Sequence, residues 1–468
     1  MRVSILAASL WLAASAVTAT PYWTPEDASR AKRDYDAARE RPEPPVVRGA
    51  ADDVEAFLDA TWFIASMQVT DSLSADFGGI REGEHLLDII QTDNTSESIW
   101  MFTRYWEITG DDAILPHLDA SWTYVLNHPA YAEEGDSFPH TGYYRYYNCG
   151  WALRAGLLYE TVFSDLQYAA YVDSCAQYLA THTLQINGMP GFIDDVNPPV
   201  LAWGGGNLRA YGVAKGDSLW TARGWLRGQR VKGWVETRPE LLGTEEWAMS
   251  GGATMWGLLE SYFDEFPAEE AAWVATYAPN MDTFSSPGQW ENAWQGWYAL
   301  GATRLEESTG EASWGSVHRD LTDYLLSFDA TDQDGGIPAH PDHLDTEDQA
   351  WVTAYLGFMG LHPILVEATS APVLASPAPP RFVNHPNPFG AVTAIEFDAP
   401  SAGTVSLDVF DVTGARVRSL AAGHRERGAH SVSWDGRDAA GRRVPAGVYF
   451  ARLVLDDRTR TRKLIVFR

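Results

Sequence analysis

The stretch Val405-Ser406-Leu407-Asp408-Val409-Phe410 decides the fold of the C-terminal part of the chain, because apolar and polar residues alternate along it. Alternation with a period of two is typical of a half-buried strand. Comparable short runs recur through this segment, with glycine-containing turns between them. The runs are Ala394–Phe397, Val405–Phe410, His430–Trp434 and Val448–Leu453. Several such runs at this spacing predict a small β-sandwich.

The order of short motifs in Arg381–Arg468 resembles two families at once. The motifs are Asn-x-Pro-Asn-Pro-Phe from Asn384, Val-Phe-Asp-Val-Thr-Gly-Ala-Arg-Val from Val409, Trp-Asp-Gly-Arg-Asp from Trp434, Gly-Val-Tyr-Phe-Ala-Arg-Leu from Gly447 and Thr-Arg-Lys-Leu from Thr461. This order is similar to the C-terminal sorting domains of the type IX secretion system and to the immunoglobulin-like domain of flagellar hook-capping proteins. Gly390-Ala391 departs from the Asn-Pro that usually follows. The resemblance implies export and surface attachment, with export machinery as a partner, and implies no chemistry.

The N-terminus also predicts export. Met1-Arg2 gives a positive start, Val3 to Val17 is mainly apolar, and Val17-Thr18-Ala19 fits a cleavage site for a signal peptide. No later stretch reaches the roughly 18 apolar residues of a membrane-spanning helix. We therefore expect a secreted or cell-surface protein without a transmembrane segment.

Charge separates the two parts of the chain. The whole chain has 34 basic and 63 acidic residues, whereas Arg381–Arg468 alone has 14 basic and 9 acidic residues. The acidic excess therefore lies in the larger part, which would repel nucleic acids and anionic lipid headgroups. Nucleic acid is excluded as a partner on this ground.

Two kinds of helix alternate between about residue 50 and residue 362. One kind has a single apolar stripe, such as Leu118, Trp122 and Val125, which is typical of an outer helix. The other kind is apolar on almost every side and rich in Gly and Ala, which indicates an inner helix. These inner stretches are Ile99–Trp106, Gly150–Tyr159, Trp247–Leu259, Trp294–Leu305 and Ala350–Met359.

About twelve such helices predict an α/α toroid of six hairpins in which the first and last helices pair. We expect helices near residues 50–68, 95–109, 111–127, 148–162, 165–181, 201–213, 216–236, 244–264, 267–279, 289–307, 312–328 and 346–360. An internal repeat supports this prediction, since Asp76-Phe77-Gly78-Gly79-Ile80 and Asp334-Gly335-Gly336-Ile337 each precede an inner helix. The pattern resembles the six-hairpin glycosidases, toroidal polysaccharide lyases and, in these loops, the prenyltransferase and squalene-cyclase toroids.

The predicted fold class is thus multidomain, an all-α (α/α)6 toroid followed by a small all-β immunoglobulin-like sandwich. The expected segments are a signal peptide at 1–19, an extended leader at 20–49, the toroid at 50–366, a Pro-rich linker at 367–380 and the sorting domain at 381–468.

Carboxylates and aromatic side chains cluster where the predicted inner helices begin. Glycoside hydrolysis needs one protonated and one ionised carboxyl, and aromatic rings stack on sugar faces. The catalytic candidates are Asp195, Glu246 and Glu347. The substrate-binding candidates are Asp194, Tyr144, Trp203, Trp247, Trp290 and Trp351. Among the tryptophans, we expect Trp203 and Trp290 to be exposed.

Helix capping is the competing explanation for many of these carboxylates. Asn94-x-x-Glu97 and Thr346-x-x-Gln349 fit capping boxes. Asp195 is the preferred catalytic candidate, because Asp194-Asp195 precedes Asn197-Pro198-Pro199 on a loop where capping explains less.

The sequence favours a glycoside hydrolase that acts on a polysaccharide or oligosaccharide, and it predicts no metal or cofactor. Two alternatives stay open, a polysaccharide lyase of the same fold and a non-catalytic surface or carbohydrate-binding protein. Cys149 and Cys175 fall in one predicted helical hairpin, so they form either a disulfide or two buried thiols. Neither the sugar nor its linkage follows from the sequence.

Overall fold

The computed structural model describes most of the chain beyond the N-terminal segment. The described residues are 50–132, 140–141, 143–182, 185–186, 198–237, 245–262, 270, 273, 291–329, 333–340, 347–370, 382–385, 389–399, 402–411, 414–455 and 458–467. Backbone contacts divide the chain into two compact units. One contains Val125–Thr322, and the other contains Val47–Tyr124 together with Asp323–Arg468.

The described helices are α1 (Ala50–Ser66), α2 (Thr92–Thr109), α3 (Leu115–Asn127), α4 (Tyr143–Phe163), α5 (Ala169–Thr181), α6 (Pro198–Lys215), α7 (Ser218–Glu236), α8 (Glu245–Ser261), α9 (Glu291–Thr309), α10 (Ala312–Leu326), α11 (Ala350–Tyr355) and α12 (His362–Ser370). Every described helix except α12, which lies beyond the last predicted helix and extends into the predicted linker, occupies a position that the apolar periodicity predicts. A π-helical segment, Leu356–Leu361, joins α11 to α12. The helix predicted near residues 267–279 lies largely outside the described residues.

Helix α6 of the first unit runs through three consecutive glycines. A Cβ atom would lie 2.2 Å from the ring of Tyr146 at Gly204, 2.7 Å from the Cβ of Arg227 at Gly205 and 3.2 Å from Trp256 at Gly206. These partners belong to α4, α7 and α8. Three neighbouring helices therefore approach the backbone of α6 at these glycines. This packing explains why the helix contains three residues without side chains.

In the second unit, α1 packs against α2 and against the segment from α11 to α12. The Trp100 ring of α2 meets Phe358 edge-to-face, with the ring centroids 4.8 Å apart. Helix α2 is buried over most of its length, as an inner helix requires. The predicted pairing of the first helix with the last is confirmed.

The two Asp-Gly-Gly-Ile loops of the second unit make the same contacts. The Ile80 amide donates to Thr95 Oγ1 at 3.1 Å, and the Ile337 amide donates to Thr353 Oγ1 at 3.1 Å. Each threonine lies in the first turns of the following inner helix. Gly78 and Gly335 both have positive φ, 88° and 91°. The repeat seen in the sequence is therefore a structural repeat as well.

A β-sandwich forms the C-terminal part of the second unit. Its strands are β5 (Phe382–His385), β6 (Thr393–Ala399), β7 (Gly403–Asp411), β8 (Arg416–Arg425), β9 (Gly428–Trp434), β10 (Gly447–Leu455) and β11 (Arg458–Val466). One sheet has the order β11-β10-β7-β8 and the other has the order β5-β6-β9, with antiparallel pairing throughout. Alternate residues of β7, Val405, Leu407 and Val409, point into the shared core.

Four short strands lie within the helical parts. They are β1 (Ile80–Gly83), β2 (Leu86–Gln91), β3 (His140–Thr141) and β4 (Gln185–Ile186). The first two form an antiparallel hairpin in which Ile80 pairs with Gln91. Because α2 begins at Thr92, this hairpin leads directly into an inner helix.

Candidate functional site

Three carboxyl groups of the second unit lie at the start of inner helix α2. Glu82 is on β1, Asp93 is in the first turn of α2, and Glu97 follows one turn later. Glu82 and Asp93 are half-buried, whereas Glu97 is only 2% exposed. The hairpin and the helix therefore bring together carboxyls that are 15 residues apart in sequence. We call Glu82, Asp93 and Glu97 the acidic site.

Capping does not explain Glu97. Helix α2 begins at Thr92, two residues before the predicted capping box, and its N-cap Gln91 makes no side-chain hydrogen bond to the helix. The prediction that Asn94 and Glu97 form a capping box is therefore wrong. Glu97 Oε2 and Asn94 Nδ2 are both buried without a hydrogen-bond partner among the described residues. Such groups are costly unless a ligand or water satisfies them.

The second predicted capping box, Thr346-x-x-Gln349, also fails. Gln349 is itself the N-cap of α11, and its side chain makes no capping hydrogen bond. Its Oε1 instead accepts from Trp351 Nε1 at 2.5 Å. The side chain therefore orients a neighbouring indole rather than the helix end.

Burial and mutual repulsion shift the acidic site towards protonation. Burial, followed by the Asp93 charge, raises the pKa of Glu82 to about 7. Burial also raises the pKa of Asp93 to about 6, against the hydrogen bond from the Asn94 amide. The pKa of Glu97 lies well above its usual range, first through burial and then through Asp93. As pH rises, Asp93 therefore loses its proton before Glu82 and Glu97 do.

The start of α11 lies beside the same hairpin. The Glu84 amide donates to the Asp348 carbonyl at 3.0 Å, and Gly83 pairs with Gln349 across an isolated antiparallel bridge. Glu347 and Trp351, two of the residues selected from the sequence, flank this contact and are half-buried. The structure thus brings their segment next to the strand that carries Glu82.

Trp203 is fully buried in the first unit, so the expectation of an exposed Trp203 is wrong. Its ring packs against Trp151, Trp256 and Trp297, with centroid separations of 4.8, 5.1 and 5.2 Å. Its indole N–H donates to the Tyr147 carbonyl at 3.1 Å. The small residues of the inner helices leave room for large rings between them, and this tryptophan fills that space.

The other residues selected from the sequence are described to different extents. Tyr144 is half-buried in the first turn of α4. Glu246 and Trp247 belong to the start of α8, but the structure describes their backbone alone. Asp194, Asp195 and Trp290 lie outside the described residues. Their roles stay predictions.

Glu82 is the member of the acidic site that the sequence analysis missed. Asp93, Asn94 and Glu97 were visible as polar residues before an apolar helix, although the catalytic candidates were chosen elsewhere. Glu82 has no such signal, because it lies in a short polar stretch, Arg81-Glu82-Gly83-Glu84, with no periodicity. Glu82 lies near the start of α2 only because β1 pairs with β2, the strand that leads into this helix.

Cys149 and Cys175 are free thiols and both are buried. Burial, followed by the neighbouring Cys175 thiol, raises the pKa of Cys149 well above its usual range. Across the described parts of the chain, no group of three or more His, Cys, Asp or Glu side chains is arranged to hold a metal ion. Within the same residues, no helix combines the length and apolar character needed to cross a bilayer.

The C-terminal sandwich matches a known family. A family model described as the FlgD Ig-like domain covers residues 387–457. This match confirms the resemblance to the hook-capping immunoglobulin-like domain, and we use the name Ig-like domain for the sandwich below. A comparison with curated proteins found no match.

Solved structures match the helical part at low sequence identity. A family 76 glycoside hydrolase from a bovine Bacteroides thetaiotaomicron strain is 11% identical, and the match covers 69% of this chain and 79% of that chain with a TM-score of 0.50. The GH76A alpha-1,6-mannanase from Salegentibacter sp. HEL1_6 is 12% identical, with 68% and 100% covered and a TM-score of 0.47. A sugar epimerase from a ruminal bacterium is 10% identical, with 66% and 98% covered and a TM-score of 0.46.

The first of these matches shows the fold of the helical part alone. Together with the family match of the sandwich, it confirms the predicted fold class, an α/α toroid followed by a small immunoglobulin-like domain. At this identity the likeness does not transfer an activity or a substrate.

Proposed function

We propose that the protein is an exported glycoside hydrolase and that the acidic site supplies its acid and base. The proposal rests on one observation, the pair formed by Glu82 and Asp93. Two carboxyls whose environments hold their pKa values apart can act as acid and base at one pH. Glu82, with a pKa of about 7, keeps a proton to donate, whereas Asp93, with a pKa of about 6, ionises first.

The two groups suit the two steps of glycoside cleavage. A protonated Glu82 would donate to the leaving oxygen, and an ionised Asp93 would activate water or attack the sugar directly. Glu97 would stay protonated and could donate a hydrogen bond to a sugar hydroxyl, as could the amide of Asn94. Both side chains have a buried polar atom that lacks a partner among the described residues.

The residues selected from the sequence are further candidates for acid–base catalysis and for sugar binding. Asp195, with Asp194 beside it, is a second candidate for acid or base, and Glu246 and Glu347 are candidate partners. Trp247, Trp290, Trp351 and Tyr144 are candidate sugar-stacking residues. The signal peptide at 1–19 and a sorting function of the Ig-like domain would bring the enzyme outside the cell or to its surface, through an export machinery.

The test is a polysaccharide panel with three readouts on the purified protein. Release of reducing ends indicates hydrolysis, ultraviolet absorbance of unsaturated uronates indicates lyase activity, and binding without turnover indicates a non-catalytic protein. We expect reducing ends from at least one polysaccharide. Lyase products, or binding alone, would replace the hydrolase proposal with the corresponding alternative.

Variants assign the activity to the acidic site. Glu82→Gln and Asp93→Asn are expected to lower kcat by at least about 100-fold, the range in which general acid–base groups contribute. Asp88→Asn is the matched control, because Asp88 is an exposed carboxylate on the same hairpin. If both site variants keep the wild-type kcat, the acidic site is not the catalytic centre.

A further inference from the structure

Arg462, on strand β11 of the Ig-like domain, is buried although it is charged. The residue is 4% exposed, and its guanidinium reaches three separate parts of the second unit. Nε donates to the Phe382 carbonyl at 2.7 Å, Nη1 donates to the Asp334 carbonyl at 2.9 Å, and Nη2 forms an ion pair with Asp59. One side chain therefore joins the sandwich, the second Asp-Gly-Gly-Ile loop and helix α1.

The loop and the helix meet at the same point. A Cβ atom on Gly335 would lie 2.3 Å from the carbonyl carbon of Asp59, so the loop backbone rests directly on α1. Asp334 is 6% exposed, and its Oδ1 accepts from the Gly336 amide at 2.9 Å. The Arg462 guanidinium, which belongs to the Ig-like domain, thus hydrogen-bonds to both partners of the close contact between this loop and α1.

The loop in turn supports the hairpin that carries Glu82. The Gln349 amide donates to the Ile337 carbonyl at 3.1 Å, and Pro338 bridges to Asp348. The Asp348 carbonyl accepts from the Glu84 amide at 3.0 Å. A continuous set of backbone hydrogen bonds therefore leads from the loop at Asp334 to the strand of Glu82.

We propose that Arg462 is a positioning residue for the acidic site and that the Ig-like domain is part of the support of that site. The guanidinium fixes the Asp334–Ile337 loop on α1, the loop fixes Asp348 and Gln349, and these hold the β1–β2 hairpin. The catalytic consequence rests on the proposed function, whereas the structural one does not.

The geometry requires an arginine. Its planar guanidinium directs several N–H donors in fixed directions, while a lysine ammonium is a single point charge. Lysine at position 462 would keep a positive charge for Asp59 but could not serve two carbonyls at once. Glutamine would remove the charge as well.

Hydrogen exchange on the full-length protein tests the positioning independently of activity. In Arg462→Gln, the amides of Gln349 and Glu84 are expected to exchange at least about tenfold faster, because local opening then costs less. Arg462→Lys should give an intermediate rate. Arg416→Gln is the matched control on the same sheet, since its side chain is 65% exposed and 3.8 Å from Asp408.

Wild-type exchange at Gln349 and Glu84 in folded Arg462→Gln would overturn the proposal. If Arg462→Gln does not fold, the exchange rates of the Gln349 and Glu84 amides in Arg462→Lys are compared with those of the wild type instead, and unchanged rates overturn the proposal. A second readout is the pH dependence of kcat on any polysaccharide that is cleaved. Its basic limb, which reports the Glu82 proton, should move to lower pH in Arg462→Gln and stay in place in Arg416→Gln. If the wild type cleaves no glycan, the proposed function fails while the exchange comparison still decides the role of Arg462.

Discussion

Trp203 lies so close to Gly150 that a Cβ atom on residue 150 would be 2.4 Å from the indole nitrogen. The indole cannot move away easily, because its N–H is hydrogen-bonded to Tyr147 and its ring is enclosed by other tryptophans. The absence of a side chain at residue 150 therefore leaves the space that the Trp203 indole occupies.

Gly150→Ala is expected to destabilise the protein by about 1–3 kcal/mol, the usual cost of overpacking a core. Gly233→Ala is the matched control, because Gly233 is also helical but has no atom within 4 Å of the added Cβ. The control should stabilise the protein by about 0.5–1 kcal/mol, since alanine favours the helix. Urea unfolding measures both changes, and equal effects of the two substitutions would contradict the packing explanation.

Thr95→Val and Thr353→Val remove the hydroxyl groups that hold the two Asp-Gly-Gly-Ile loops. Each substitution leaves a buried amide, that of Ile80 or Ile337, without its acceptor, at an expected cost of about 1–3 kcal/mol. Thr123→Val removes an exposed helical hydroxyl and should change the free energy of unfolding by no more than about 0.5 kcal/mol. Thermal unfolding of the three variants measures these changes in stability. If only one of Thr95→Val and Thr353→Val is destabilised, the two loops do not contribute equally to stability.

The raised pKa of Glu82 makes stability depend on pH. Its folded-state pKa is about 7, above the ordinary 4.5, so the folded protein binds this proton more tightly than the unfolded chain. The stabilisation is present below the unfolded pKa and is lost as pH rises through the folded pKa. Between about pH 4.5 and pH 7, the wild type should therefore lose stability relative to Glu82→Gln. If the difference in melting temperature between the wild type and Glu82→Gln does not change over this pH range, the pKa shift is contradicted.

Asp195→Asn tests the catalytic residue selected from the sequence. We expect turnover of a susceptible polysaccharide to be abolished and the melting temperature to stay nearly unchanged, because Asp195 is predicted to lie on a loop. Asp88→Asn, a change at an exposed carboxylate outside the candidate residues, is the control and should keep wild-type turnover. An Asp195→Asn variant that unfolds, or that keeps full activity, would remove Asp195 from the candidates and leave Glu82 and Asp93.

The sequence predicted the fold well because helix and strand periods are local signals. Alternation in Val405–Phe410 and the apolar stretch Gly150–Tyr159 each identified an element that the structure contains. The Asp-Gly-Gly-Ile repeat could also be found, since its glycines are required by positive φ and by close backbone contact at Gly78 and Gly335.

The site was harder to predict because it depends on contacts between distant residues. Glu97 fits a capping box in the sequence, but the helix begins before that box, at Thr92. Glu82 reaches the site through strand pairing, for which the four-residue polar stretch Arg81–Glu84 gives no signal. The sequence does not predict the burial of Trp203, because this burial depends on missing side chains at residues such as Gly150, which periodicity does not reveal.

The three glycines of α6 have a consequence for how the first unit unfolds. Each glycine makes an isolated helix about 1 kcal/mol less stable than alanine would, so α6 has little helical stability of its own. Its order comes from packing against Tyr146, Arg227 and Trp256, whose side chains lie within 3.2 Å of the positions that Cβ atoms on the three glycines would take. Helices α4, α6, α7 and α8 should therefore lose their amide protection together, as a single cooperative unit with no stable intermediate in which α6 survives alone.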